Sequence, residues 1–164
     1  MSNILIGFLL LSSIAVPGPP QSRWRVHKGP YFEIKYPPLF KARTSLPSNS
    51  FEGEYDSAFF TAPDDSVEFY VFSPLWNGEP TDIEIDPASE DYVSQNTEKK
   101  GTIVVRRVTI RAKDNRYLRS FEDTEYTVNN TRKVFGFKYR NQSAYNRHRQ
   151  EYLMFKRSLR QFSD

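Results

Sequence analysis

The 164-residue chain predicts an α+β fold, a central antiparallel β-sheet of about six or seven strands with a C-terminal amphipathic helix packed on one face. Three observations predict it. Segments between Tyr31 and Tyr139 repeatedly alternate apolar and polar residues with period two, the mark of half-buried strands. Turn-forming clusters separate them, so consecutive strands pair antiparallel by default. The stretch 143–162 then changes to a helical period.

Taken in order, Ile4 to Val16 is an uncharged apolar run, shorter than the ~20 residues a bilayer requires. It reads as the hydrophobic region of an export signal, with Ser13 and Ala15 as small residues near a cleavage point. An uncleaved anchor or a hydrophobic strand is the alternative. Residues 1–22 are therefore set apart as a signal and Pro-rich linker, and 23–164 as one domain working outside the cytoplasm, in a periplasm, thylakoid lumen or secreted space. In the first predicted strand Phe32, Ile34 and Tyr36 alternate with Glu33 and Lys35, and Pro37-Pro38 ends it, because proline cannot donate to a ladder. Leu39 to Leu46 is a second short strand. Two more follow, around Phe59-Phe60 and over Val67 to Phe72, joined by a turn at Pro63 to Asp65. Val67, Phe69 and Val71 fall on one face of the latter, and Glu68, Tyr70 and Phe72 on the other. Asn77 to Lys100 carries Gly78, Pro80 and Pro87 and is expected to be loop with at most one short element. Three long strands then span Ile103 to Ile110, the region of Tyr117-Leu118, and Val134 to Tyr139, with hairpin turns at Lys113 to Asn115 and Asn129 to Thr131. Finally Tyr145, Tyr152, Phe155, Leu159 and Phe162 form one helical stripe, with Ser143 as its cap. Such a stripe belongs to the core and not to a ligand box.

Composition narrows the function. Aromatics reach 15%, with 13 Phe and 10 Tyr, enough large rings to fill a layer between sheet and helix. There is no cysteine, which removes disulfides, thiolate metal sites and a cysteine nucleophile. The only two histidines, His27 and His148, do not make a multi-histidine metal site.

The residues Phe32, Ile34, Tyr36 and Pro37 at the start, and Tyr152, Phe155, Ser158, Leu159 and Phe162 at the end, with a meander between them, resemble the Mog1/PsbP-like superfamily. The resemblance implies a central antiparallel sheet flanked by helices, and binding or accessory work instead of catalysis. The PsbP proteins of photosystem II, which it brings into view, are soluble lumenal proteins that dock on a membrane complex and support its manganese–calcium–chloride centre. No ligand residue carries over to this chain.

The charge map is asymmetric. Residues 1–96 hold 6 basic and 13 acidic side chains, a balance of −7, whereas 97–164 hold 17 basic and 7 acidic, a balance of +10. One consequence is internal pairing of acidic middle segments with basic late strands, each exposed pair contributing ~0–1 kcal/mol. The other is docking. Arg147, Arg149, Lys156, Arg157 and Arg160 flank the helical stripe, and with Arg106, Arg107 and Arg111 would form a basic face for a membrane-associated protein complex or an anionic surface. The export segment and the acidic first half argue against nucleic acid as partner. A monomer is expected.

On the acidic side, Asp82, Glu84 and Asp86 alternate with Ile83 and Ile85. On a strand they would share one face at steps of roughly 6–7 Å. Calcium is the one cofactor such carboxylates would attract. Pro87 stands where an EF-hand loop needs glycine, which excludes that motif. A solvated strand face accounts for the same spacing. Catalysis finds little support: the chain has no G-x-S-x-G and no phosphate-binding glycine loop. A small secreted hydrolase using carboxylates from Asp64, Asp65, Asp82 or Glu84 is the rival reading, and a structural domain without a defined ligand the other.

Overall fold

Residues 23–76 and 78–162 are described by the computed structural model; the predicted signal and linker, 1–22, lie outside the described residues. The strands are β1 (Arg25–Lys28), β2 (Phe32–Tyr36), β3 (Lys41–Thr44), β4 (Ser57–Thr61), β5 (Val67–Phe72), β6 (Glu90–Lys100), β7 (Ile103–Ala112), β8 (Leu118–Tyr126), β9 (Thr131–Tyr139) and β10 (Arg160–Gln161). A 3-10 turn spans Thr81–Ile83, and the helix α1 spans Gln142–Arg157. Seven strands form one antiparallel sheet in the order β3-β4-β5-β9-β8-β7-β6, and β1-β2-β10 form a smaller one. Among the described residues no helix is long and apolar enough to cross a membrane.

The pleat decides what each face carries. Val67, Phe69 and Val71 of β5 and Phe135 and Phe137 of β9 point towards α1, and with Phe32, Ile34 and Tyr36 of β2 enclose the main core. Phe155 sits at its centre, fully buried, with its ring 5.2 Å from that of Phe60 and 5.3 Å from that of Phe69. Each such pair adds about 0.5–1.5 kcal/mol to what burial alone contributes. Tyr70, Phe72 and Val134 form a second core on the opposite face, with Phe121 and Ile83 packed against them. Gly136 lies between the two rings of that face: a Cβ there would stand 2.6 Å from the Phe121 ring and 2.9 Å from Tyr70 Cβ.

The structure differs from the sequence reading in having β1 before the first expected strand, at β6, and at both ends of the helix. Residues 90–100, expected as loop, are the eleven-residue strand β6. It is an edge strand, nearly all exposed on both faces, so neither face imposes an apolar period. The helix starts two residues earlier than expected, with Asn141 and not Ser143 as its cap: Asn141 Oδ1 accepts from Ala144 N at 2.9 Å. It also ends before Leu159 and Phe162, because Ser158 Oγ donates to Phe155 O at 2.7 Å and accepts from Lys35 N at 2.9 Å. The chain is thereby turned alongside β2, where Arg160 pairs with Glu33 and Gln161 with Phe32.

The segment 78–90 runs across the face opposite α1 and is fastened there by side chains from four strands. Arg132 of β9 donates to Gly78 O at 2.8 Å and pairs with Glu79 at 2.9 Å. Asp82 accepts from Ser57 Oγ of β4 at 2.6 Å and from Tyr70 OH of β5 at 2.7 Å. Arg119 of β8 donates to Ile83 O at 3.0 Å and Glu84 O at 2.9 Å. Its Nε and Nη2 also hold Glu90, which is only 4% exposed, at 2.7 and 2.6 Å. Burial alone would raise the Glu90 carboxyl, but the bonds from Arg119, the Asp86 amide and Tyr117 outweigh it and hold it below its ordinary value.

Candidate functional site

Helix α1 covers only part of its side of the large sheet. It crosses β5 and β9, where Tyr152 lies 4.6 Å from Phe137 and Tyr145 stacks on Phe137 at 5.3 Å. Beyond the helix, β8 and β7 continue with the same face open. The step between helix and sheet is a groove of about 550 Å³, walled by Tyr139, Tyr145 and Tyr152, with Thr109 and Ser120 on the strand side. Three cations enter it: Arg107 from β7, and Arg149 and Lys156 from α1.

Glu122 of β8 organises two of them. It accepts from Lys156 Nζ at 2.7 Å and from Arg107 Nε at 3.2 Å, while Arg107 Nη1 reaches Glu98 at 3.0 Å. Burial would raise the Glu122 carboxyl, yet these cations bring it below the ordinary carboxylate range. Burial also pushes the Tyr152 hydroxyl far above its ordinary value, reinforced by the Glu122 charge, so its proton is permanent at any physiological pH. Arg149 is exposed and makes no ion pair among the described residues. The groove therefore offers spare N–H donors: Lys156 has three and Arg107 five, of which Glu122 and Glu98 take only some.

The structure divides the eight basic residues singled out in the sequence. Arg107, Arg149 and Lys156 come together in the groove. Arg106 does not join them, because consecutive strand residues point to opposite faces; it lies on the side of segment 78–90 and pairs with Asp123 at 3.4 Å and Glu125 at 2.8 Å. Arg147 reaches Asp64 at 3.7 Å, and Arg160, on β10 and not on the helix, reaches Glu33 at 2.9 Å. Arg111 shares the face of Arg107 two pleats along β7, roughly 13 Å away, and Arg157 ends the last turn of α1.

The acidic trio fares differently. Asp82, Glu84 and Asp86 do not line a strand face: residues 81–83 are a 3-10 turn, since Asp82 is drawn inward to Ser57 and Tyr70. Asp86 closes its own turn, accepting from Ala88 N at 3.0 Å and Ser89 Oγ at 2.6 Å, and those two bonds hold its carboxyl low. Glu84 presents its carbonyl to Arg119. All three border a cleft of about 300 Å³ that also contains Glu68, Lys138 and Tyr117. Among the described residues no group of three His, Cys, Asp or Glu side chains is arranged to hold a metal ion. Two of the residues that fasten this segment, Arg119 and Arg132, were not singled out in the sequence. Their signal was present: Arg119, Phe121, Asp123 and Glu125 alternate on one face of β8, a mixed row that needs a covering partner.

No family model and no curated protein matches the chain. Solved structures do. The chain is similar to cyanobacterial PsbP (CyanoP) from Synechocystis sp. PCC 6803, at 8% identity over 90% of this chain and 99% of that one, with a TM-score of 0.46. It is similar to the Saccharomyces cerevisiae Ran-binding protein Mog1p, at 9% identity over 84% and 95% of the two chains, with a TM-score of 0.42. A Mog1 mutant structure matches at 10% identity over 87% and 97%, with a TM-score of 0.44.

Proposed function

We propose that this chain is a non-catalytic docking domain whose groove between α1 and β7–β8 receives an acidic segment of a larger, membrane-associated protein complex. The observation that carries the reading is the set of Arg107, Arg149 and Lys156 around tyrosine walls, with donors left over after the internal pairs are made. Aromatic walls supply apolar contact, and the spare N–H groups select carboxylates. The cations set orientation and speed of encounter more than affinity, over a Debye length of about 8 Å at physiological salt. In this reading the apolar Ile4–Val16 run exports the chain, and docking takes place outside the cytoplasm.

The groups nearest to a catalytic constellation are engaged in structure. His148 Nδ1 bonds Glu151 Oε2 at 2.6 Å and its ring packs against Phe40. Of the carboxylates a hydrolase would use, Asp82 has both oxygens taken by neutral donors and Asp64 accepts from Ser66 Oγ at 2.7 Å.

A photo-reactive residue at Leu153, on the groove, tests the proposal in native membranes of the source. The expected result is one dominant cross-linked partner, lost in Arg149→Glu/Lys156→Glu and weakened by high salt. Equal cross-linking of the same partner from Glu84, exposed on segment 78–90 of the opposite face, would overturn it.

A further inference from the structure

We infer that β6 is a self-pairing edge, through which two copies of this chain join their seven-stranded sheets across a two-fold axis at Asn96. Among the described residues β6 ends the large sheet and pairs only with β7; it is eleven residues long, so it carries a row of backbone N–H and C=O groups with no described strand beside them. No proline interrupts it.

The face of each residue follows from the register with β7. Asp91, Ser94, Asn96, Glu98 and Lys100 share the α1 side, while Tyr92, Gln95, Thr97 and Lys99 share the other. Val93 falls at the register shift between Tyr92 and Ser94, and belongs to neither row. In a two-fold antiparallel pair, residues opposite one another must point to the same side. With Asn96 on the axis, every pairing meets this condition: Gln95 with Thr97, Ser94 with Glu98, Tyr92 with Lys99, and Asp91 with Lys100, each formed twice. The bulged Val93 drops out, and that omission brings the acidic end of one strand level with the basic end of the other.

Charge complementarity therefore selects a second copy as occupant. Asp91 meets Lys100 on one face, and the Lys99 stem lies against the half-exposed Tyr92 ring on the other. Among the described residues of one chain, the ion pair of Asp91 is a 3.9 Å contact with exposed Lys113, so its charge is available. Lysines on an edge ordinarily prevent such pairing; here each has a two-fold partner. The interface belongs to the small, weak class, and the association is concentration-dependent. This departs from the monomer expected from sequence, and it leaves the α1 groove open on both copies.

The test is sedimentation velocity of the full chain up to about 1 mM, the weak end of measurable association. Wild type is expected to shift from monomer to dimer. Asp91→Lys and Lys100→Asp should each weaken self-association at least tenfold. A mixture of the two should regain it, because each contact then joins Lys to Asp. The double variant Asp91→Lys/Lys100→Asp should dimerise like wild type. Both sites are exposed, and thermal melts check that the variants stay folded. A wild type that remains monomeric throughout overturns the inference, as does association that neither reversal changes. Arg149→Glu, in the groove, is expected to leave the dimer intact, so failure of the docking proposal is read separately.

Discussion

Replacing Arg119 by methionine keeps an unbranched apolar stem and removes every donor that fastens segment 78–90 to β8. The guanidinium is 12% exposed and the Glu90 carboxylate 4%, so the variant leaves a buried charge with two of its four hydrogen bonds gone. The carbonyls of Ile83 and Glu84 lose a donor as well. Breaking a buried pair from one side costs about 3–5 kcal/mol, a large share of the roughly 5–15 kcal/mol that holds a domain folded. Urea unfolding at pH 7 reads this directly. With a slope near 2 kcal/mol per molar, the midpoint should fall by roughly 1.5–2.5 M. The partner variant makes the argument sharper. Arg119→Met/Glu90→Leu removes both charges and should recover most of the loss, because an apolar pair of similar volume replaces them. In the wild type Glu90 has a folded pKa below its unfolded one, so its contribution is complete above the unfolded value, about 4.3, and disappears as pH falls through the folded value. The double variant should lack that acid-side decline. An Arg119→Met midpoint within 0.5 M of wild type, equivalent to about 1 kcal/mol, would refute the account of how the segment is held.

Other expectations are equally direct. Gly136→Ala places a methyl between Phe121 and Tyr70, and should cost about 1–3 kcal/mol in chemical unfolding, with no change in the helix signal by circular dichroism. Asp82→Ala leaves Tyr70 OH and Ser57 Oγ without their acceptor; hydrogen exchange at 80–86 should accelerate well before that of β5, and uniform protection would contradict the fastening role. His27 is packed against Phe32 and Phe60, its Nε2 has no hydrogen-bond partner among the described residues, and burial lowers its pKa despite the Glu54 charge. Its neutral form is the one the fold accepts, so stability should fall as pH drops below about 6.5, and His27→Phe should flatten that slope.

How much of this was legible depends on which force writes a given element. Where burial dictates the pattern, the sequence speaks clearly: Val67, Phe69 and Val71 share one face as their alternation predicts, the face towards α1, and the turn expected at Pro63 to Asp65 is present, with Asp65 at a φ of 53°. β6 was invisible because an edge strand with two wet faces has no apolar period to display. Leu159 kept the helical spacing past the end of α1, since a core-facing residue on a following turn can satisfy the same period, whereas Phe162 is exposed. The site was half legible for a similar reason. Arg107, Arg149 and Lys156 could be named from charge and stripe, but that Arg106 turns away follows from register, and that Arg119 and Arg132 hold a distant loop follows from three-dimensional contact across 36 to 54 positions of chain. Part of the basic excess of the second half is thus committed to the acidic middle segment.

The clasp between β2 and β10 has a further consequence in time. Ser158 bonds Lys35, and Arg160 bonds Glu33, across more than 120 positions of sequence. During synthesis β2 leaves the ribosome long before its second neighbour exists, and its inner face, Phe32 and Ile34, must wait for Phe155 to arrive. Loop closure of that length is slow, so the nascent chain passes through a stage with a nearly complete sheet and an uncovered aromatic layer. That stage is where a chaperone would find this protein, and a pause in translation just before α1 would lengthen it.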